Sequence, residues 1–232
     1  MPRKARQPPT PRRSPLDARL TEGIRQLGLE PAPEQIEKFL RYIKLLQQWA
    51  RRINLTTILE PEAIIERHFC DSLALWSALK SLEPTQPTPP ERGHLLDIGA
   101  GAGFPGVPLK IMAPSMGLTL LEPRQKRAAF LQVLIATLGC SQSQVVTTRL
   151  TELAGVATGR YDWIVARGVG RPDELVTEAA GHLTPQGAFA FYLSGRQSTG
   201  ALRGLSGFDV TDYRYALPFS SVEHRLLILR RR

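Results

Sequence analysis

The residues best placed to do chemistry lie between positions 95 and 122. Leu95-Leu96-Asp97-Ile98-Gly99-Ala100-Gly101-Ala102-Gly103-Phe104-Pro105-Gly106 runs from a short apolar strand into a turn with glycine at alternate positions, then into a helix. Glycine permits backbone conformations closed to other residues and lets a ligand approach the main chain. In open α/β sheets, ligands bind at the carboxyl ends of the strands, beside the switch in strand order. Roughly twenty residues further on, Glu122 ends the next strand, where a carboxylate can accept both hydroxyl hydrogens of a ribose.

This pattern fits two classes of cofactor. Gly101-x-Gly103-x-x-Gly106 matches the dinucleotide fingerprint, with Glu122 at a suitable distance. Two features favour S-adenosylmethionine instead. Asp97 lies two residues before the first glycine, where many methyltransferases carry an acid. Pro105 and Pro108 crowd the start of the helix, whose amide N–H groups a pyrophosphate would need, and proline has none to offer. The bland alternative is a tight βα turn that binds nothing.

Such a turn needs a parallel sheet to carry it, and the second part of the chain supplies the pattern. Short apolar strands at 94–98, 118–122, 144–148, 161–166 and 188–193 alternate with helical stretches near 106–113, 124–139 and 172–183. That alternation marks βαβ units. Two further strand-like runs, 208–215 and 224–230, suit a late hairpin. The expectation is an α/β fold, a doubly wound and mostly parallel sheet of seven strands with one antiparallel strand. Ahead of it, residues 16–82 read as a helical extension packed on this core. Ile36, Phe39, Leu40, Ile43 and Leu46 recur at helical steps after Pro33, and Pro61 opens a helix running to about Leu79. Residues 83–93 read as a proline-rich linker, residues 94–232 as the catalytic domain, and residues 1–15 as a disordered basic arm.

Composition bounds the rest. The chain has 232 residues, 42% of them hydrophobic, enough for a sizeable core. No apolar run approaches the ~20 residues of a membrane span. The net charge of +9 makes nucleic acid the first partner to consider. Cys70 and Cys140 lack partners at metal-ligand spacing and read as small apolar residues, so neither a zinc site nor a disulfide is expected. Trp49, Trp76 and Trp163 read as core. Asn54 and Thr56 read as capping residues. His68 and Asp71 are expected in a wall between the N-terminal helices and the sheet rather than in catalysis.

Taken together, the motifs resemble the bacterial small-subunit ribosomal RNA guanine-N7 methyltransferase G family, also called glucose-inhibited division protein B. They are Asn54-Leu55-Thr56, Arg67-His68 with Asp71-Ser72-Leu73, the segment 97–106, Lys126-Arg127 with Phe130-Leu131, Arg149, and Tyr161-Asp162 with Arg167. The resemblance covers roughly residues 34 to 230. It implies a Rossmann-like class I fold, S-adenosylmethionine as cofactor, and methyl transfer to N7 of one guanine in 16S ribosomal RNA or the small ribosomal subunit. It also implies a bacterial or plastid enzyme; a cytoplasmic monomer with no metal and no membrane partner is the default expectation from the residues themselves.

By position in the family pattern, Gly99, Gly101 and Phe104 become cofactor contacts of the turn. Glu122, Pro123 and Arg124 match the ribose-binding strand end, and Leu150 and Thr151 the segment that meets the adenine. Arg167 matches the arginine closing the fourth strand, where it would touch cofactor and position substrate. Its alternative role is an ion pair with Asp162 or Glu152. Lys126, Arg127 and Arg149 are candidates for RNA contact, the first two equally well a solvated helix face. Phe104 could instead cap the local core. The basic arm and Arg230-Arg231-Arg232 would add nonspecific phosphate attraction. The chain carries Ala166-Arg167-Gly168 where the family often shows Ser-Arg-Ala, and Ser194-Gly195 where it often shows Lys-Gly.

Guanine N7 carries an in-plane lone pair and no proton, so no general base is expected, only alignment. The sequence offers no Asn-Pro-Pro-Tyr motif for exocyclic amines and no paired-cysteine chemistry for carbon. A methyltransferase of the same fold with another substrate, a noncatalytic RNA-binding assembly factor and an NAD-linked oxidoreductase are the alternatives. The last lacks a Tyr-x-x-x-Lys or His/Asp pair after the turn.

Overall fold

The computed structural model describes residues 14–83, 92–155, 161–168, 171–193, 202 and 205–232. The expectations for most of the basic arm, most of the linker and Ser194-Gly195 fall outside these residues. The sheet has seven strands: β1 (His94–Ile98), β2 (Gly117–Leu121), β3 (Ser143–Val146), β4 (Tyr161–Arg167), β5 (Leu183–Leu193), β6 (Phe208–Ala216) and β7 (Glu223–Arg231). Their order is β3-β2-β1-β4-β5-β7-β6. All pairings from β3 through β5 are parallel, and β7 runs antiparallel to both β5 and β6. The expected doubly wound sheet with one antiparallel strand is what forms. Its order reverses between β1 and β4, which opens a crevice at their carboxyl ends.

Four helices precede the sheet's first strand: α1 (Pro15–Gln26), α2 (Pro33–Ala50), α3 (Pro61–Ile64) and α4 (Asp71–Leu82). Ser14 Oγ accepts from the Asp17 amide to start α1, and Gly28, with φ of 75°, closes it through its N–H to the Arg25 carbonyl. Between α3 and α4 the rod continues through a π-helical segment, Ile65–Cys70, which carries Arg67 and His68. The widened turn shifts the helical phase there.

The N-terminal helices share an apolar cluster with one face of the sheet. The larger apolar cluster unites Leu20, Phe39, Leu46, Phe69 and Trp76 with Leu95, Leu118, Val165, Ala190 and Ile228 from one face of the sheet. On this face also lie α5 (Gly106–Met112), every residue of which is buried, and α6 (Gln125–Thr137). The opposite face packs Leu96, Ile164, Phe189 and Leu227 against Val176 and Ala179 of α7 (Pro172–Ala179). Gln35 ties the extension to the sheet layer. Its Oε1 accepts from the Ala32 amide at 2.8 Å, and its Nε2 donates to the Ile111 carbonyl at the end of α5 at 2.9 Å.

Other expectations are corrected. Asn54 and Thr56 cap no helix. The residue at the start of α3 is Glu60, whereas Thr56 Oγ1 accepts from the Ile58 amide and the Asn54 carbonyl accepts from Arg127. The three terminal arginines are stitched into the fold: Arg230 to Glu83, Arg231 to the Ala180 carbonyl, and Arg232 to Asp209. Trp76 and Trp163 are core as expected, while Trp49 is partly buried against Phe130.

The tightest contact between the extension and the glycine turn is at Gly103. The Tyr42 hydroxyl donates to the Ala102 carbonyl at 2.5 Å, and a Cβ on Gly103 would fall 2.6 Å from that same oxygen. With φ at 93°, Gly103 is also strained for any other residue. Gly103→Ala is therefore expected to cost at least ~2 kcal/mol in chemical denaturation. Adding Tyr42→Phe, which deletes the clashing oxygen, should recover part of that loss; strictly additive losses would refute the clash.

Candidate active site

The carboxyl ends of three adjacent strands meet at one place. After β1 comes the glycine turn, whose Gly99 and Ala100 amides donate to the Leu121 carbonyl at the end of β2, at 2.8 and 3.1 Å. Glu122 follows at once. It is buried, with Oε2 accepting from the Gly101 amide at 3.0 Å and Oε1 from the Arg124 amide at 2.9 Å. The two backbone bonds hold the carboxylate beside the turn and leave further lone pairs on each oxygen. Across the crevice, β4 ends on Arg167, two residues beyond the Asp97–Val165 pairing.

The turn's glycines divide by what they face. A Cβ on Gly99 would meet nothing within 4 Å, and one on Gly101 would only brush the Gly99 carbonyl and Arg127. These positions leave the main chain open to a ligand. Gly103 and Gly106 serve packing. A Cβ on Gly106 would come within 2.7 Å of Asp97 Oδ2, which accepts the Gly106 amide at 2.8 Å.

That bond decides between the two cofactor readings. A pyrophosphate needs free amides at the first turn of α5. The Gly106 amide is taken by Asp97, the Val107 amide by the Gly103 carbonyl, and Pro108 has none. The third glycine of the fingerprint thus makes room for an acid. The residues do fit S-adenosylmethionine. Asp97 Oδ1 is buried with no partner among the described residues, and Glu122 and the open face of Gly99 lie on the same side of the crevice.

Arg167 is held by the N-terminal helices. Its Nη1 lies 3.1 Å from Asp71 Oδ2, its Nη2 3.2 Å from His68 Nδ1, and its guanidinium 5.0 Å from the centre of the Phe104 ring. The expected ion-pair alternatives, Asp162 and Glu152, are not its partners: Asp162 accepts from the His94 amide at the other end of β4, and Glu152 accepts from Thr148. Phe104 is buried and stacks on Tyr42 and His68, with ring centroids 5.2 and 4.4 Å apart. Its packing matches the core-cap alternative. Gly168 adopts φ of 70°, a conformation that glycine tolerates best.

His68 and Asp71 lie in the expected wall, and the structure adds that they touch the site. Arginine has only donors, so His68 Nδ1 must accept from it, and the ring proton then sits on Nε2, 2.9 Å from Thr56 Oγ1. Nδ1 also lies 3.2 Å from the Arg67 carbonyl, but a proton there would face a guanidinium. Burial and the Arg167 charge lower the His68 pKa to about 3. Burial alone would raise Asp71; hydrogen bonds from His224 and Tyr215 with the charge of Arg167 outweigh it and hold the carboxyl below its ordinary value.

The basic candidates form a second zone beside the turn. Arg124, Lys126 and Arg127 line a groove of about 600 Å³ with Arg52, Ile53 and Asn54. Pro123 is exposed at its edge of the strand end, and Leu150 and Thr151 begin a 3₁₀ segment, Leu150–Gly155, after β3. Arg149 is exposed just before that segment and does not line the groove. Arg52 was missed by sequence reasoning, because a charge in an irregular segment carries no signal of what it faces.

Burial raises the Asp97 pKa from 3.8 to about 7, against the Gly106 amide and Arg167, which lower it. Between those values the folded chain holds a proton that the unfolded chain has lost. This group's contribution to stability therefore grows as pH falls from 7 toward 3.8 and is absent above 7. Relative to the parent, Asp97→Asn should gain roughly 2–3 kcal/mol of stability as pH rises from 5 to 8 in denaturant titrations. A difference that does not change with pH would contradict the raised carboxyl.

Comparison with known proteins agrees with this geometry. Residues 35–205 match the family model described as rRNA small subunit methyltransferase G. A protein named Ribosomal RNA small subunit methyltransferase G from Desulfitobacterium hafniense is 36% identical over 94% of this chain and 89% of its own length. One of the same name from Alkaliphilus metalliredigens is 34% identical over 90% of this chain and 88% of its own. A methyltransferase structure from Pyrococcus furiosus shares the fold, with a TM-score of 0.53 at 18% identity over 82% of this chain and 96% of its own. With its crevice, its acid-bonded turn and matches of this extent, the chain belongs to the rRNA small subunit methyltransferase G family.

Proposed function

We propose that this chain transfers the methyl group of S-adenosylmethionine to N7 of a guanine in small-subunit ribosomal RNA, as a monomer in the bacterial cytoplasm. The observation that carries this reading is the division of the crevice. Buried Asp97, the open glycines and Glu122 belong to the ends of β1 and β2, and Arg167 to the end of the neighbouring β4. When bound, S-adenosylmethionine supplies an electrophilic methyl group. Glu122 would hold the ribose hydroxyls, and Asp97 Oδ1 would accept a donor from the cofactor. Leu150 and Thr151 would border the adenine.

The residues on the substrate side orient rather than abstract protons. His68 is neutral near pH 7 and has both ring nitrogens engaged, so it is not poised as a base. A guanine N7 has no proton to give, and alignment alone can supply much of the rate. Arg52, Arg124, Lys126 and Arg127 give the neighbouring groove the charge that an RNA backbone needs. Among the described residues no helix is long and apolar enough to cross a membrane.

Transfer of labelled methyl to unmodified small ribosomal subunits tests the reading. The unaltered chain is expected to label the RNA. Glu122→Ala should weaken S-adenosylhomocysteine binding at least ~10-fold, the loss of charge-assisted hydrogen bonds, with RNA affinity kept. Arg167→Lys should keep cofactor affinity and slow transfer, since lysine cannot reproduce the planar fork. Cofactor binding without label in RNA would refute the substrate.

A further inference from the structure

Arg167 is held more fully than a strand end requires. Nη1 donates to Asp71 Oδ2 at 3.1 Å and to the Arg67 carbonyl at 3.4 Å, and Nη2 donates to His68 at 3.2 Å. A guanidinium has five N–H donors. Nε–H and one hydrogen of Nη2 therefore remain without a partner among the described residues. Nε and Nη2 share the edge that meets an oxyanion side-on.

Asp71 is braced in turn from the β6–β7 edge of the sheet. Tyr215 donates to Oδ1 at 2.7 Å, and His224 Nδ1 lies 3.4 Å from the same oxygen. The hairpin β6–β7 thus reaches Arg167 through one carboxylate. Buried ion pairs are a weak source of stability, often replaceable by apolar groups at no loss. Their geometric consequence here is a guanidinium with one edge fixed and another left over. Side-chain exposures of 19% for Arg167 and 10% for Asp71 keep the pair largely out of solvent screening.

Reaction chemistry limits what the remaining edge can take. An arginine fork on guanine spans N7 and O6. A donor on N7 would occupy the lone pair that must attack the methyl group. Phosphate oxygens raise no such conflict and match the charge. We propose that Asp71 is a positioning residue that fixes Arg167 with its Nε–Nη2 edge set to clamp a backbone phosphate of the RNA substrate. This rests on the function proposed above.

The test is the dissociation constant of small-subunit ribosomal RNA for the full chain saturated with S-adenosylhomocysteine, measured across salt concentrations. Arg167→Ala should weaken binding about ten-fold or more and flatten the salt dependence by about 0.7–0.9 in slope, one phosphate's worth. Asp71→Asn should weaken binding several-fold in the unaltered background and leave it unchanged in the Arg167→Ala background, because it acts through that arginine. Tyr215→Phe, which keeps the ion pair, should show a smaller loss that vanishes in the same way, and it decides the matter if Asp71→Asn does not fold. Affinity for S-adenosylhomocysteine should not move. An unchanged salt slope overturns the phosphate contact. Losses that persist without Arg167, or that fall in step with cofactor affinity, overturn the positioning role. Methyl transfer by the unaltered chain is read in parallel: no transfer with an intact binding cycle refutes the methyltransferase reading alone.

Discussion

The carboxylate of Asp97 has no solvent exposure and stands at the end of the central strand, pointing into the first turn of α5. Taking the Gly106 amide fixes where that helix begins, and so fixes the path of the glycine turn between them. Glycine is required at 106 because a side chain would press on the acid, and at 103 because Tyr42 packs against the same turn from outside. The turn in turn hangs from the end of β2, which delivers Glu122 to the Gly101 amide. One buried acid thereby orders the cofactor side of the crevice and denies the helix end to a pyrophosphate.

The other side depends on helices that lie outside the βαβ pattern. Arg167 belongs to β4, but its hold comes from Arg67, His68 and Asp71, on a rod whose helical phase is altered by a π turn. Phe104 sits between the two halves, stacked on His68 and beneath Arg167. The extension that covers one face of the sheet therefore also holds Arg167, and the packing of the helices and the placing of that arginine rest on the same contacts.

Much of this was legible in the sequence. The βα alternation, the late hairpin and the glycine turn located six of the seven strands to within a residue or two, because alternation and turn chemistry are local signals. β5 begins at Leu183, five residues before the apolar run, because Pro185 and Gly187 read as a turn while the backbone still pairs across an irregular register with β4. The π segment was not legible, since a single widened turn leaves no periodic trace. Nor was the partner of Arg167, since Asp71 stands 96 positions away and only the fold brings them together. Asp162 and Glu152 were nearer in sequence and wrong in space. The terminal arginines read as free charge because composition cannot show that each has a partner.

The central claim is that this crevice aligns a methyl donor with a guanine N7 and needs no base to do so. Nucleoside mass spectrometry of small-subunit RNA, after incubation of unmodified subunits with the chain and S-adenosylmethionine, tests it most directly. The account predicts 7-methylguanosine at one site. Methylation at an exocyclic amine, a ribose hydroxyl or a carbon would contradict it, because each of those positions must give up a proton and N7 has none to give.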